Sequence, residues 1–173
     1  AGTSATPGAT VSVGESAGGN GTNLGDYTSS ITCVRRSAPA TVVVGPVAAT
    51  SASWTIQPND DIICTITNTR KTATVEVKKV VTPLGDPGAF NLTINGPGDT
   101  FDYTAPNQPN GGTTGTRVVT PGAFSFSETG GASPATNLLN YNATYACTNK
   151  GVALVPPVSG TGATISPITV ASG

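Results

Sequence analysis

Apolar and polar residues alternate with a period of two along most of this chain, and every such run is short. Phe90, Leu92 and Ile94 mark one run, Phe101 and Tyr103 the next, and Phe124 and Phe126 a third. Tyr141, Ala143, Tyr145 and Cys147 share a phase, as do Ile62, Cys64 and Ile66. Val75, Val77 and Val81 are expected on one face of a single strand, and Ile165 with Val170 predicts a last strand interrupted at Pro167. Alternation rich in Val, Ile, Phe, Tyr and Thr marks strands buried on one face. Gly/Pro/Asn clusters at 83–88 and 106–112 supply turns. No segment carries a helical period. Short strands separated by frequent turns predict an all-β sandwich.

The pattern repeats. Thr6-Pro7-Gly8-Ala9 returns as Thr120-Pro121-Gly122-Ala123. Thr22-Asn23-Leu24 returns as Thr136-Asn137-Leu138, and Cys33 as Cys147, all at an offset of 114 residues. A one-residue slip aligns Val11, Val13 and Glu15 with Phe124, Phe126 and Glu128. Ordered matches at one offset indicate an internal repeat. Residues 1–70 are then expected to be the C-terminal part of one sandwich. Residues 71–173 are expected to form a second that lacks its last strand, the counterpart of 60–70.

Composition narrows the function. Charged residues are only 10% and the net charge is −1, so nothing attracts a phosphate backbone or an anionic membrane surface. No apolar run approaches the length that spans a bilayer. Histidine is absent, which removes the commonest general base and zinc ligand. No base–nucleophile set appears, and neither enzymatic turnover nor a cofactor is expected. Methionine is absent too, which suggests a processed, excerpted or truncated chain.

Cys33 and Cys64 each lie in the apolar phase of a strand in the first copy, and are expected to form a disulfide tying two strands together. Two buried free thiols are the alternative. Cys147 repeats Cys33, so its partner is expected in a following repeat or another subunit. A disulfide points to an oxidising, extracellular setting.

Polar residues also occupy apolar phases. Lys79 follows Val75 and Val77; Glu128 follows Phe124 and Phe126; Glu15 follows Val11 and Val13; Asn68 follows Ile62, Cys64 and Ile66. A buried Lys or Glu is costly unless paired, so these residues either meet or sit at a solvated rim. The segment Pro121-Gly122-Ala123-Phe124-Ser125-Phe126-Ser127-Glu128-Thr129 resembles the "PG-x-aromatic-x-x-x-E-T" stretch of prealbumin-like (transthyretin-like) repeats. Those repeats occur in Gram-positive surface proteins, including collagen-adhesin B-type domains and pilins. Cys64-Thr65-Ile66-Thr67-Asn68-Thr69 resembles the "C-T-x-T-N-T" strand that closes such repeats, and Val75-Glu76-Val77-Lys78-Lys79-Val80 the strand that opens the next. The resemblance implies tandem seven-stranded prealbumin/Ig-like sandwiches, one partial and one nearly complete, used as spacers or stalks. It also implies an intramolecular isopeptide bond between a first-strand Lys and a last-strand Asn, assisted by the Glu. Apolar surroundings favour the neutral amine that attacks, and a protonated Glu can polarise the amide. Carried over, Lys79 and Glu128 belong to one triad and Glu15 and Asn68 to another, and neither is complete in this chain.

The expected function is a structural repeat of an extracellular bacterial filament or cell-surface stalk. Its partners would be neighbouring repeats or subunits, joined by continuous or exchanged strands. The alternative is an adhesin or carbohydrate-binding module, with glycans as ligands and Trp54 on an exposed platform. Asn59-Asp60-Asp61 could gather oxygens for calcium, though such turns are commoner without metal. N-x-S/T sequons stand at Asn20, Asn91 and Asn142.

Overall fold

The computed structural model describes residues 5–19, 22–36, 39–97 and 101–172; the Asn20 sequon lies outside them. The chain divides into two compact units, Ala1–Lys71 and Thr72–Gly173.

The first unit is built from β1 (Thr10–Gly14), β2 (Tyr27–Arg35), β3 (Thr41–Val47), β4 (Ser51–Thr55) and β5 (Ile62–Arg70). β1 pairs with β4, and β2 lies between β3 and β5. All these pairings are antiparallel. Ile31 and Cys33 are fully buried, because β2 has a neighbour on each side. A register shift in the β2–β3 pair is built around Gly45, whose φ is +82°. A Cβ there would stand 2.2 Å from the Ile31 carbonyl oxygen.

The second unit contains β6 (Ala73–Val75), β7 (Phe90–Asn95), β8 (Asp102–Gln108), β9 (Arg117–Val119) and β10 (Gly122–Gly130). The short strands β11 (Thr144–Ala146), β12 (Thr148–Asn149), β13 (Val152–Ala153) and β14 (Ser159–Thr161) follow, and β15 (Thr164–Val170) comes last. One sheet runs β15-β10-β7-β8; smaller ladders join β6 to β9, β11 to β14 and β12 to β13. The alternation places Ile94 and Phe124 at zero exposure in a core with Ala73, Val75, Val119 and Phe126. Phe90, Leu92 and Val81 form a second cluster, capped by Leu138 and Tyr141. The Tyr141 hydroxyl donates to Asp86 at 2.8 Å, and that carboxylate pushes the phenol's pKa up.

Two strands differ from the sequence expectation. The opening strand stops at Val75 instead of running through Val81. Beyond it, groups remote in sequence take the backbone amides: Thr114 Oγ1 accepts from Val77 N, and Asn110 Oδ1 from Val81 N. Val81 nevertheless points inward and is 5% exposed. β15 passes through Pro167 without interruption. Opposite it, Phe124 pairs with Ile168 but Phe126 with Ile165, so two residues of β15 face one of β10. A bulge of this kind tolerates a proline, which has no N–H to offer the ladder.

The repeat is visible in three dimensions. A three-residue 3-10 turn at Leu24–Asp26 recurs at Leu138–Asn140. Each is capped by an asparagine side chain, Asn23 accepting from Gly25 N and Asn137 from Leu139 N. The β1–β4 pair corresponds to β10–β15, and the β2–β3 hairpin to β11–β14. The counterpart of β5 has no place among the described residues of the second unit.

Candidate functional site

In the first unit the β2–β5 ladder runs without a slip from Tyr27↔Arg70 to Arg35↔Ile62. It places Cys33 directly opposite Cys64, with Cα atoms 4.0 Å apart, and the two are joined as a disulfide. Four residues along, the same ladder sets Ser29 against Asn68. The Ser29 hydroxyl donates to Asn68 Oδ1 at 2.7 Å, and Asn68 Nδ2 donates to Glu15 Oε2 at 2.6 Å. Glu15 arrives from the end of β1, where its amide bonds the Thr50 carbonyl. Its other oxygen, Oε1, is buried with no hydrogen-bond partner, as is the Trp54 indole nitrogen.

In the second unit the counterpart glutamate holds a lysine. Lys79 Nζ lies 2.6 Å from Glu128 Oε2, with both side chains about seven-eighths buried at 14% and 13% exposure. The ammonium also stands 3.9 Å from the centre of the Phe90 ring, whose π face attracts a cation. Backbone bonds between Lys79 and the Gly111–Gly112 turn fix where this side chain starts.

The sequence-selected residues therefore fall into two pairs, Glu15 with Asn68 and Lys79 with Glu128. Each holds part of a Lys–Glu–Asn set, and no complete set forms among the described residues. Sequence reasoning did not find Ser29 or Phe90. Ser29 stands on the inward phase of β2 with Ile31 and Cys33, a polar residue in an apolar row that could have pointed to it. Cys147 is a free thiol, half-buried, and desolvation raises its pKa above the ordinary thiol value.

The other candidates are placed elsewhere. Asp60 does not face a cation site: it accepts from Arg35 Nε at 2.6 Å and from Gln57 N at 2.8 Å. These bonds, Arg35's first, hold its carboxyl below the usual range. Asp61 faces Arg36 at 3.9 Å. Trp54 is half-buried opposite Val11 rather than displayed on a platform. Asn91 bonds the Gly130 carbonyl, and its Oδ1 accepts from Asn107 N. Among the described residues no helix is long and apolar enough to cross a membrane.

No curated protein and no solved structure matches the chain. A family model described as a prealbumin-like fold domain does, over residues 1–70 and 88–172. The break separates the Asn68-bearing strand from the segment that follows Lys79, close to the division between the two units. All-β sheets, paired strands and the recurring inward glutamate agree with that match, and the chain belongs to the prealbumin-like fold domain family.

Proposed function

We propose that this chain is a structural segment of an extracellular bacterial filament or cell-surface stalk, assembling head to tail from repeats of one kind. The observation that carries the reading is the placement of reinforcement. Both units put a glutamate, bonded to a polar partner, at the end of the same strand, and the first adds a disulfide across neighbouring strands. Such links resist shearing of one strand past another, and a disulfide bounds the extension of a pulled domain. A mechanical role needs neither a cofactor nor a catalytic base, and the histidine-free, weakly charged composition suits it.

In a complete repeat the two half-sets combine. A lysine of the Lys79 kind would approach the buried, unpartnered Glu15 Oε1, beside an asparagine already held by Ser29 and Glu15. An open cleft of about 390 Å³ lies next to this place, lined by Ser29 and Thr50 among others. Attack of the lysine nitrogen on the asparagine amide carbon would form a new amide and release ammonia, the glutamate carrying the proton. An array of repeats would then weigh about 17 Da less per bond, beyond the loss of about 2 Da per disulfide. Without that loss, the set is a hydrogen-bonded lock.

The location is tested directly. An antibody raised against the chain is expected to decorate intact, unpermeabilised source cells along filaments or the wall. Labelling that appears only after permeabilisation overturns the reading.

A further inference from the structure

The turn after β8 folds back on the segment that follows β6. Gly112 N bonds the Pro109 carbonyl, and Lys79 exchanges backbone bonds with Gly111 and Gly112. Thr113 forms an isolated bridge with Lys78. Three side chains converge at this place. Gln108, the last residue of β8, lays its carboxamide along the turn: Oε1 accepts from Thr113 N at 3.1 Å, and Nε2 donates to the Pro106 carbonyl at 2.8 Å. A Cβ at Gly112 would stand 2.8 Å from Gln108 Oε1 and 2.9 Å from the Pro109 carbonyl oxygen, so glycine keeps open the space that the carboxamide fills.

The Thr113 hydroxyl donates to Glu76 Oε1 and accepts from Gly115 N at 3.0 Å. The other oxygen of Glu76 accepts from Thr116 Oγ1 at 3.0 Å, which holds the carboxylate in place. A hydroxyl has one proton and two lone pairs. Here the proton is committed to a carboxylate and one lone pair to an amide; the second lone pair has no partner among the described residues. The group is a base, a nucleophile oriented by it, and a carbonyl whose oxygen already receives a backbone N–H. The two threonine hydroxyls, Thr113's first, hold the Glu76 carboxyl below the usual range, so it is ionised at neutral pH and can take a proton. No base–nucleophile set is visible in the sequence, because only the folded chain brings Glu76, Gln108 and Thr113 together.

We infer that Thr113 and Gln108 become joined by an ester bond, formed once and within the chain. The Thr113 oxygen attacks Gln108 Cδ, and its proton passes to Glu76. The carbonyl electron pair moves onto Oε1, where the Thr113 N–H stabilises it. As the carbonyl re-forms, the C–N bond breaks, Glu76 returns the proton to Nε2, and ammonia leaves. A C–O bond replaces a C–N bond, and no oxidant or reductant is needed. The product closes a covalent loop over the turn whose Asn110 side chain accepts from Val81 N and whose Gly111–Gly112 backbone positions Lys79. The link therefore stiffens the support of the Lys79–Glu128 pair, and it does not rest on the head-to-tail reading above.

The test takes the whole folded chain, held at neutral pH and then cut with trypsin. One peptide, Val80–Arg117, contains both partners and neither Lys79 nor Asn68. It is expected to weigh about 17 Da less than its sequence requires. A succinimide at Asn110–Gly111 would have the same mass, and hydroxylamine separates the two. It opens the ester to a hydroxamate on residue 108, whereas a succinimide yields one on residue 110. Thr113→Ser is expected to keep the link and Thr113→Val to lose it. Glu76→Gln is expected to slow its formation on the order of a hundredfold. A peptide of full sequence mass, a hydroxamate on any residue but 108, a loss that survives Thr113→Val, or an unchanged rate in Glu76→Gln overturns the inference. None of these outcomes depends on where the protein resides, so failure here is distinct from failure of the antibody test.

Discussion

Lys79 and Glu128 show what a polar residue in an apolar phase costs and how the cost is met. Each is about seven-eighths buried, and each has the other at 2.6 Å. Removing one leaves a desolvated charge, whereas removing both leaves only a smaller hydrophobic contact. A double-mutant cycle with Lys79→Met and Glu128→Gln is therefore expected to give a coupling of about 0.5–3 kcal/mol in urea unfolding. Additive single effects would reduce the contact to mere proximity. Asp60 makes a different point. Its carboxyl is held below the usual range by Arg35 and then by the Gln57 amide. A carboxylate depressed in the folded state contributes stability that is whole above its unfolded pKa, near 4. That contribution is lost as pH falls through the lower folded value. The urea midpoint of the first unit should thus drop as pH falls below about 4, and Asp60→Asn should remove part of that drop. An unchanged acid limb in Asp60→Asn would separate the ion pair from acid stability.

Among the elements, the hairpin of β2 and β3 depends on one backbone geometry. Gly45 has φ +82° and lies against the Ile31 carbonyl. Alanine there meets both a dihedral penalty of about 1–3 kcal/mol and a clash with backbone that the β5 ladder holds in place. Gly45→Ala is expected to lower the stability of the first unit by at least that amount, measured by chemical denaturation, while Gly18→Ala, with open space around it, should be near neutral. The alternation made most inward positions legible in the sequence, because Phe90, Leu92, Ile94 and Phe124 have apolar phases that no loop contact contradicts. The 114-residue offset made the two asparagine-capped turns legible as counterparts. What escaped was decided by partners distant along the chain. The strand expected through Val81 ends at Val75, and beyond it only the isolated Lys78↔Thr113 bridge remains, with the Thr114 and Asn110 side chains taking the Val77 and Val81 amides. Pro167 stays in a strand because β10 accepts a bulge. The pairing of polar residues was foreseeable from their phase, but Ser29 as the second anchor of Asn68 was not, since a lone serine in a strand carries little signal.

At the scale of the whole molecule, the disulfide belongs to one of two units. Cys33 and Cys64 both lie within Ala1–Lys71, and the second unit contains only the free thiol of Cys147. The covalent link closes a loop across a sequence separation of 31 residues. On the chain-entropy model such a closure stabilises by about 3–4 kcal/mol. Its loss should therefore be felt where the loop is and nowhere else, provided that each unit opens on its own. Hydrogen exchange of the intact chain, with and without reductant, distinguishes the cases. On reduction, protected amides in Tyr27–Arg35 and Ile62–Arg70 should exchange roughly a hundredfold faster or more. Those in Phe90–Asn95 and Gly122–Gly130, whose core of Phe90, Ile94 and Phe124 owes nothing to the link, should keep their rates. An equal acceleration in both regions would mean that the chain opens as one cooperative body, and two units that unfold independently would then be the wrong picture of it.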